Sequence, residues 1–192
     1  MAKIIFKYGE MNSGKTMDLL TNEYVLSSKQ MKVSLMKPEL DTRENNIKSR
    51  VGLQKKVDYV IPKDIELSDI DELKDIISSS DVVLVDESQF IDYSLLKVIG
   101  KWVHCMDSSV TIIFYGLLKD FNNNIFDGSK ALLEIADTII PIHKMCEYPA
   151  CKHKATCNYL KNKPTCGNVS MGDSEYVSLC QEHYYKKQME EE

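Results

Sequence analysis

Long apolar runs are missing from these 192 residues. No stretch approaches the roughly 18 consecutive apolar residues of a membrane helix, so no membrane partner is expected. The opening Met1-Ala2-Lys3-Ile4-Ile5-Phe6-Lys7-Tyr8 is too short and too broken by lysine for an export signal, which leaves the cytoplasm as the expected location. Glycine and proline are sparse, at 8 and 5 residues, which excludes collagen-like and low-complexity chains. Positive charge is not in excess. Lys and Arg number 24 against 29 Asp and Glu, and a net charge of -5 gives no global attraction for phosphate backbones, so no nucleic-acid partner is expected. Before residue 146 the only cysteine is Cys105, which argues against a disulfide framework spanning the chain. What is present, 43% hydrophobic and 28% charged residues, suits one globular domain with at most a small appendage.

Short apolar runs alternate with helical periodicity. Ile4-Ile5-Phe6 with Tyr8 predicts a strand ending at Gly9, and after Gly14 a helix carries Met17, Leu20, Tyr24 and Val25 on one face. Val33, Leu35 and Met36 form a strand stopped by Pro38, and Glu39 to Arg50 reads as a long polar loop. Tyr59-Val60-Ile61 is another brief strand. Leu67, Ile70, Leu73, Ile76 and Ile77 predict a helix with Ser68 as its cap. Val82-Val83-Leu84-Val85 lacks polar alternation, as a strand buried on both faces requires, and belongs at the sheet centre. Leu95, Leu96, Ile99 and Val103 predict a helix on which Trp102 and Cys105 are packing residues. Thr111 to Tyr115 is a strand ending at Gly116, Ala131 to Ala136 a helix, and Thr138 to Ile142 a last strand. This alternation indicates an α/β parallel sheet with helices on both faces. Beyond Lys144 the periodicity fades, so the chain divides into 1–142 and a tail, 143–192.

Gly9-Glu10-Met11-Asn12-Ser13-Gly14-Lys15-Thr16 fits the phosphate loop G-x-x-x-x-G-K-[ST] in full, with a strand before it and a helix after. The glycines allow close backbone approach, the helix N-terminus offers N–H groups, Lys15 reaches the outer phosphates, and Thr16 can ligate Mg²⁺. Glu10 is uncomfortable there, because a carboxylate repels phosphates. Asp86-Glu87 follows the buried strand directly. In a phosphate-loop fold an acid at that position holds Mg²⁺, a role for Asp86, and Glu87 beside it can accept a proton as a general base. Arg43, within Asp41-Thr42-Arg43, could stabilise transferring phosphate or simply be solvated.

The tail holds Cys146, Cys151, Cys157, Cys166 and Cys180, with His143, His153 and His183. Cys146-x4-Cys151 and Cys180-x2-His183 form two ligand pairs for a closed, structural zinc site. Cys157, Cys166, His143 and His153 compete as ligands, and free thiols are the alternative. The segment between the pairs is too polar to order itself, so Zn²⁺ is expected to supply the order. The site is expected to take no part in any reaction, and the phosphate loop is expected to be carried by the sheet.

These residues resemble the thymidine kinase family of the small, zinc-containing type, and most of all its bacterial and phage members. The resemblance runs from Ile4 to about Lys187. It rests on the phosphate loop, Asp41-Thr42-Arg43, Ser49-Arg50-Val51-Gly52-Leu53, Val85-Asp86-Glu87-Ser88-Gln89-Phe90, and Tyr115-Gly116-Leu117 with Asp120-Phe121. Phe126-x-Gly128-Ser129 and Met171-Gly172-Asp173 through Tyr176 to Cys180 and His183 complete it. The resemblance implies a RecA-like phosphate-loop sheet for 1–142 and, for 143–192, a zinc-bound lasso that closes over the nucleoside. It implies phosphoryl transfer from ATP to the 5′-hydroxyl of thymidine, with Glu87 as base and Asp41, Arg43 and Asp86 joining the loop around ATP·Mg²⁺. Gln89, Phe90, Leu117, Phe121, Phe126, Met171 and Tyr176 fall at its nucleoside positions. Feedback by thymidine triphosphate and a homotetramer are also implied. The chain departs from the family at Glu10, where a small residue or Pro is usual, at Ile125, where Pro is frequent, and in the wider first cysteine spacing.

Two other classes compete. Asp86-Glu87-Ser88-Gln89 also resembles the D-E-x-Q of helicase ATPases, although the chain has no room for a second motor domain. The zinc tail could be a nucleic-acid module, but its lysines are interspersed with acids.

Overall fold

The computed structural model describes residues 3–40, 46–65, 67–105, 109–161 and 176–190. The first elements are β1 (Lys3–Tyr8), α1 (Lys15–Ser28), β2 (Val33–Pro38), β3 (Asn46–Lys48), β4 (Gln54–Lys56) and β5 (Tyr59–Ile61). Then follow α2 (Leu67–Ser78), β6 (Val82–Val85), α3 (Tyr93–Cys105), β7 (Thr111–Gly116), α4 (Asp127–Ile135) and β8 (Thr138–Pro141). The tail adds β9 (Cys157–Leu160), β10 (Tyr176–Leu179) and α5 (Gln181–Met189).

Six strands pair in the order β5-β2-β6-β7-β1-β8, and every pairing in this sheet is parallel. Parallel strands end on the same side, so the loops after β1, β6 and β7 gather at one edge of the sheet, where open α/β folds bind ligands. The continuous Val82–Val85 run is central and buried throughout, as expected. Its alternation splits the core: Val83 and Val85 join Leu73, Leu96, Ile99 and Leu132 on one face, whereas Val82 and Leu84 join Leu19, Leu20 and Tyr115 on the other. Helices α2, α3 and α4 thus cover one face and α1 the other.

Several expectations need correction. On α1, Met17, Tyr24 and Val25 are exposed, Tyr24 to 73%, and the buried residues are Lys15, Leu19, Leu20 and Glu23. Polar partners select that face: Lys7 and the Tyr115 hydroxyl both donate to Asp18, at 2.6 and 2.9 Å, and Glu23 pairs with Lys55 of β4. Cys105, at the end of α3, is exposed, whereas Trp102 packs against the core as expected. Helix α2 begins at Leu67, so Ser68 lies within its first turn. The polar stretch after Pro38 contains half of an antiparallel hairpin, β3 with β4, whose turn is Ser49 to Leu53 with Gly52 at φ 90°.

The tail carries a small apolar core of its own. Strands β9 and β10 pair antiparallel, and Tyr159, Leu179 and Tyr184 pack with Cys146, Cys157 and Cys180. A four-residue buried strand is too short to register as periodicity, which is why the periodicity fades in this part of the sequence. Among the described residues no helix is long and apolar enough to cross a membrane.

Candidate active site and metal centre

The loop from Gly9 to Thr16 joins the end of β1 to the first turn of α1. Two residues hold left-handed backbone, Asn12 at φ 61° and Gly14 at φ 88°. Gly9 has no room for a side chain, because a Cβ there would lie 2.5 Å from the Ile142 carbonyl oxygen. The first-turn N–H groups of α1 have no intrahelical acceptor, which suits them to an anion. Lys15 is buried, and its ammonium donates to the carbonyl oxygens of Gly9 and Glu10 at 3.1 and 2.9 Å. Burial pulls its pKa below the ordinary range, against the charges of Glu87, Asp86 and Glu10. Ser13 Oγ is buried and has no hydrogen-bond partner among the described residues. An orphaned hydroxyl, positive-φ backbone and a buried ammonium in one concave loop fit a phosphate chain.

Thr16 Oγ1 donates to Asp86 Oδ2 at 3.2 Å, so the hydroxyl of the loop and the acid at the end of β6 meet at one point. Burial, with the adjacent Glu87 carboxylate, pushes Asp86 up to about 7. Burial likewise raises Glu10, although Lys15, His143 and Lys119 oppose it. Glu87 sits at φ 49°, a left-handed conformation uncommon outside glycine, and starts a 3₁₀ turn over Ser88–Phe90. Its Oε2 accepts from Gln89 Nε2 at 2.7 Å, while Gln89 Oε1 accepts the Leu117 N–H at 3.0 Å. Both ends of the Gln89 amide are therefore engaged within the chain. Gly116 makes this packing feasible: a Cβ there would stand 2.8 Å from both Gln89 Oε1 and Ser88 Oγ.

Of the expected nucleoside residues, Phe90 and Phe126 meet edge to face at 5.9 Å between ring centres. The Leu117 carbonyl accepts from Ser129 Oγ at 2.5 Å. Phe121 is buried, and its carbonyl accepts from the Tyr184 hydroxyl of α5 at 2.7 Å. Tyr176 opens β10 and is half-buried. Asp41, Thr42, Arg43, Cys166, Met171, Gly172 and Asp173 lie outside the described residues.

Cys146, Cys151, Cys180 and His183 converge, with all four ligand atoms within 4.8 Å of one another. Cys146 Sγ and Cys180 Sγ lie 3.7 and 3.1 Å from His183 Nδ1, and the Cys151 and Cys180 sulfurs are 4.0 Å apart. Ligands bound to one tetrahedral zinc at about 2.0–2.3 Å stand about 3.3–3.8 Å from each other, so three thiols and an imidazole fit that ion. Burial opposes ionisation of Cys146, but N–H donation from Cys180 and Tyr148 and the nearby thiols bring its pKa below the usual value. The His183 ring stacks on Tyr148 at 3.9 Å, which fixes its orientation. The wide first spacing is bridged by a turn with Ala150 at φ 60°. Cys157, a competing ligand by sequence, is turned away, its sulfur 3.7 Å from Asn123 Oδ1.

Three residues that sequence reasoning passed over also touch the site. Asn158, Ser178 and Lys144 reach Met11 of the phosphate loop. No role was assigned to any of them from the sequence, and the pairing of β9 with β10 is what brings Asn158 and Ser178 together.

A parallel sheet with a phosphate loop after β1, two acids after β6 and a lobe of four converging Cys and His side chains defines a phosphate-loop protein with an appendage able to hold a metal ion. Comparison with known proteins narrows the class. The family described as Thymidine kinase matches residues 2–184. Thymidine kinase of Streptococcus thermophilus (strain CNRZ 1066) is 33% identical over 192 residues, covering 96% of this chain and 94% of the relative. That of Lactococcus lactis subsp. lactis (strain IL1403) is 32% identical over 200 residues, covering 98% and 100%. The chain belongs to the thymidine kinase family, whose members are kinases.

Proposed function

We propose that the chain transfers the terminal phosphate of ATP to the 5′-hydroxyl of thymidine, giving thymidine monophosphate and ADP. The family membership supports the substrate pair, and one observation supports the chemistry: the hydroxyl of Thr16 in the phosphate loop meets the carboxyl of Asp86, the neighbour of Glu87. Lys15 and the first-turn N–H groups of α1 hold the outer phosphates. Thr16 and Asp86 are the residues that would hold Mg²⁺, which when bound neutralises phosphate charge. Glu87 takes the proton of the attacking hydroxyl as that oxygen bonds to phosphorus and the bond to ADP breaks. Gln89 keeps the Glu87 carboxylate in place, and Phe90, Leu117, Phe121, Phe126, Met171 and Tyr176 form the nucleoside side. The family resemblance assigns Asp41 and Arg43 to the ATP contacts as well.

Residues 1–142 act as the nucleotide-binding part, and 143–192 as a lasso part fixed by one structural zinc on Cys146, Cys151, Cys180 and His183. The cytoplasm, where such thiols stay reduced, is the setting. Feedback by thymidine triphosphate follows from the family resemblance. A homotetramer does too, and the exposed apolar side chains of α1 and of Ile139 and Ile140 on the edge strand β8 support it.

The test is ADP formation with thymidine absent, present, or replaced by ribonucleosides, purine nucleosides or single-stranded DNA. Strong dependence on thymidine is the expected result. Equal ADP formation without any nucleoside would replace the kinase reading by an ATPase.

A further inference from the structure

The cross-strand pair Asn158 and Ser178 stands directly opposite in the β9–β10 hairpin, and both residues are buried, at 4% and 1% exposure. Both side chains reach one residue of the phosphate loop. Asn158 Oδ1 accepts the Met11 N–H at 2.8 Å, and Ser178 Oγ donates to the Met11 carbonyl oxygen at 2.9 Å. The N–H belongs to the peptide before Met11 and the carbonyl to the peptide after it, so the hairpin fixes two consecutive peptide planes in the middle of the loop. The second of these leads into Asn12, whose positive φ is a conformation that surrounding structure must maintain.

The clamp is itself held from two sides, by the connection after β7 and by the Cys/His lobe. Asn158 Nδ2 donates to the Lys119 carbonyl oxygen at 3.2 Å, and Lys144 Nζ lies 3.3 Å from Ser178 Oγ and 3.5 Å from the Met11 oxygen. Glu147 Oε2 accepts the Ser178 N–H at 2.6 Å, and the Glu147 N–H returns to the Ser178 carbonyl at 2.9 Å. Glu147 adjoins Cys146, and Ser178 lies two residues before Cys180, whose N–H donates to Cys146 Sγ at 3.3 Å. One short chain of hydrogen bonds therefore runs from the ligand quartet to the phosphate loop, contrary to the expectation that the sheet alone carries that loop.

We infer that Asn158 and Ser178 are positioning residues for the phosphate loop, through which the metal-bearing lobe sets the affinity for ATP. The inference rests on the reading of Gly9–Thr16 as the ATP site. A loop held in its phosphate-binding shape before ATP arrives loses less freedom on binding, so its release weakens ATP and leaves the nucleoside side alone.

The test uses the zinc-loaded full chain and calorimetric binding of a non-hydrolysable ATP analogue, with thymidine binding and zinc content measured in parallel. Each of Asn158→Ala and Ser178→Ala removes one neutral hydrogen bond and should weaken the ATP analogue about three- to tenfold, with a larger loss in the double variant. Ser178→Thr keeps the donor and should retain more affinity than Ser178→Ala. Zinc should remain at wild-type stoichiometry and thymidine affinity unchanged. If Asn158→Ala does not fold, the two Ser178 variants carry the comparison. Unchanged ATP affinity in zinc-loaded Ser178→Ala and in every folded variant, or an equal loss for ATP and thymidine, overturns the inference. Failure of the wild type to bind the analogue would instead overturn the ATP reading itself.

Discussion

Gln89 and Glu87 form a bridged pair: the Gln89 amide donates to the Glu87 carboxylate at 2.7 Å and is anchored at its other end by the Leu117 N–H at 3.0 Å. The ends of β6 and β7 are thereby joined through one buried side chain. A carboxylate that must accept a proton in one geometry gains from such a fixed partner, since rotation away from the reacting hydroxyl would cost rate and not binding.

Replacing Gln89 by Ala should lower kcat by about ten- to a hundredfold while ATP affinity stays within about twofold, the pattern of an interaction used in the transition state. Gly116→Ala should act in the same direction, because its Cβ would stand 2.8 Å from Gln89 Oε1. Steady-state kinetics beside ATP binding checks both. A change confined to KM for ATP would contradict the positioning role.

Glu10 gives a pH dependence. Burial raises its carboxyl pKa above the ordinary value. The folded state therefore holds the proton more tightly than the unfolded chain, and stability from this group is full below the unfolded pKa and lost as pH rises through the folded one. In nucleotide-free protein, the Tm of Glu10→Gln should rise relative to wild type as pH increases from 4 toward 7. Parallel Tm curves for the two proteins would refute this. The same variant should bind ATP more tightly at neutral pH, since a carboxylate beside the phosphates is removed.

The proposed zinc ligands can be tested by composition alone. Cys151→Ser and Cys180→Ser should reduce bound zinc well below one per chain, whereas Cys157→Ser should leave it unchanged, because the Cys157 sulfur faces Asn123 and not the quartet. Metal analysis of the purified variants decides. Zinc loss in Cys157→Ser with full zinc in Cys151→Ser would move the site.

The sheet was legible because its strands are buried on both faces and read as unbroken apolar runs, as Val82–Val85 shows. The phosphate loop and Asp86-Glu87 were legible because phosphate chemistry demands particular residues at fixed spacing. On α1 the reading failed: the buried face follows Asp18, Asn22 and Glu23 through partners on β1, β7 and β4, and apolar periodicity carries no trace of them. Asn158 and Ser178 were invisible for a related reason. Their role depends on β9 pairing with β10 in one register, and a polar residue on a short strand gives no signal until that register is known.

The most direct measurement follows the terminal phosphate. With ATP labelled in that phosphate and thymidine present, the account predicts label in thymidine 5′-monophosphate, matched one for one by ADP. Glu87→Gln should reduce that transfer by about 10²–10⁴-fold, the range for a positioned general base, while still binding ATP. Label released mainly as inorganic phosphate at a rate indifferent to thymidine, or near-normal transfer by Glu87→Gln, would contradict it.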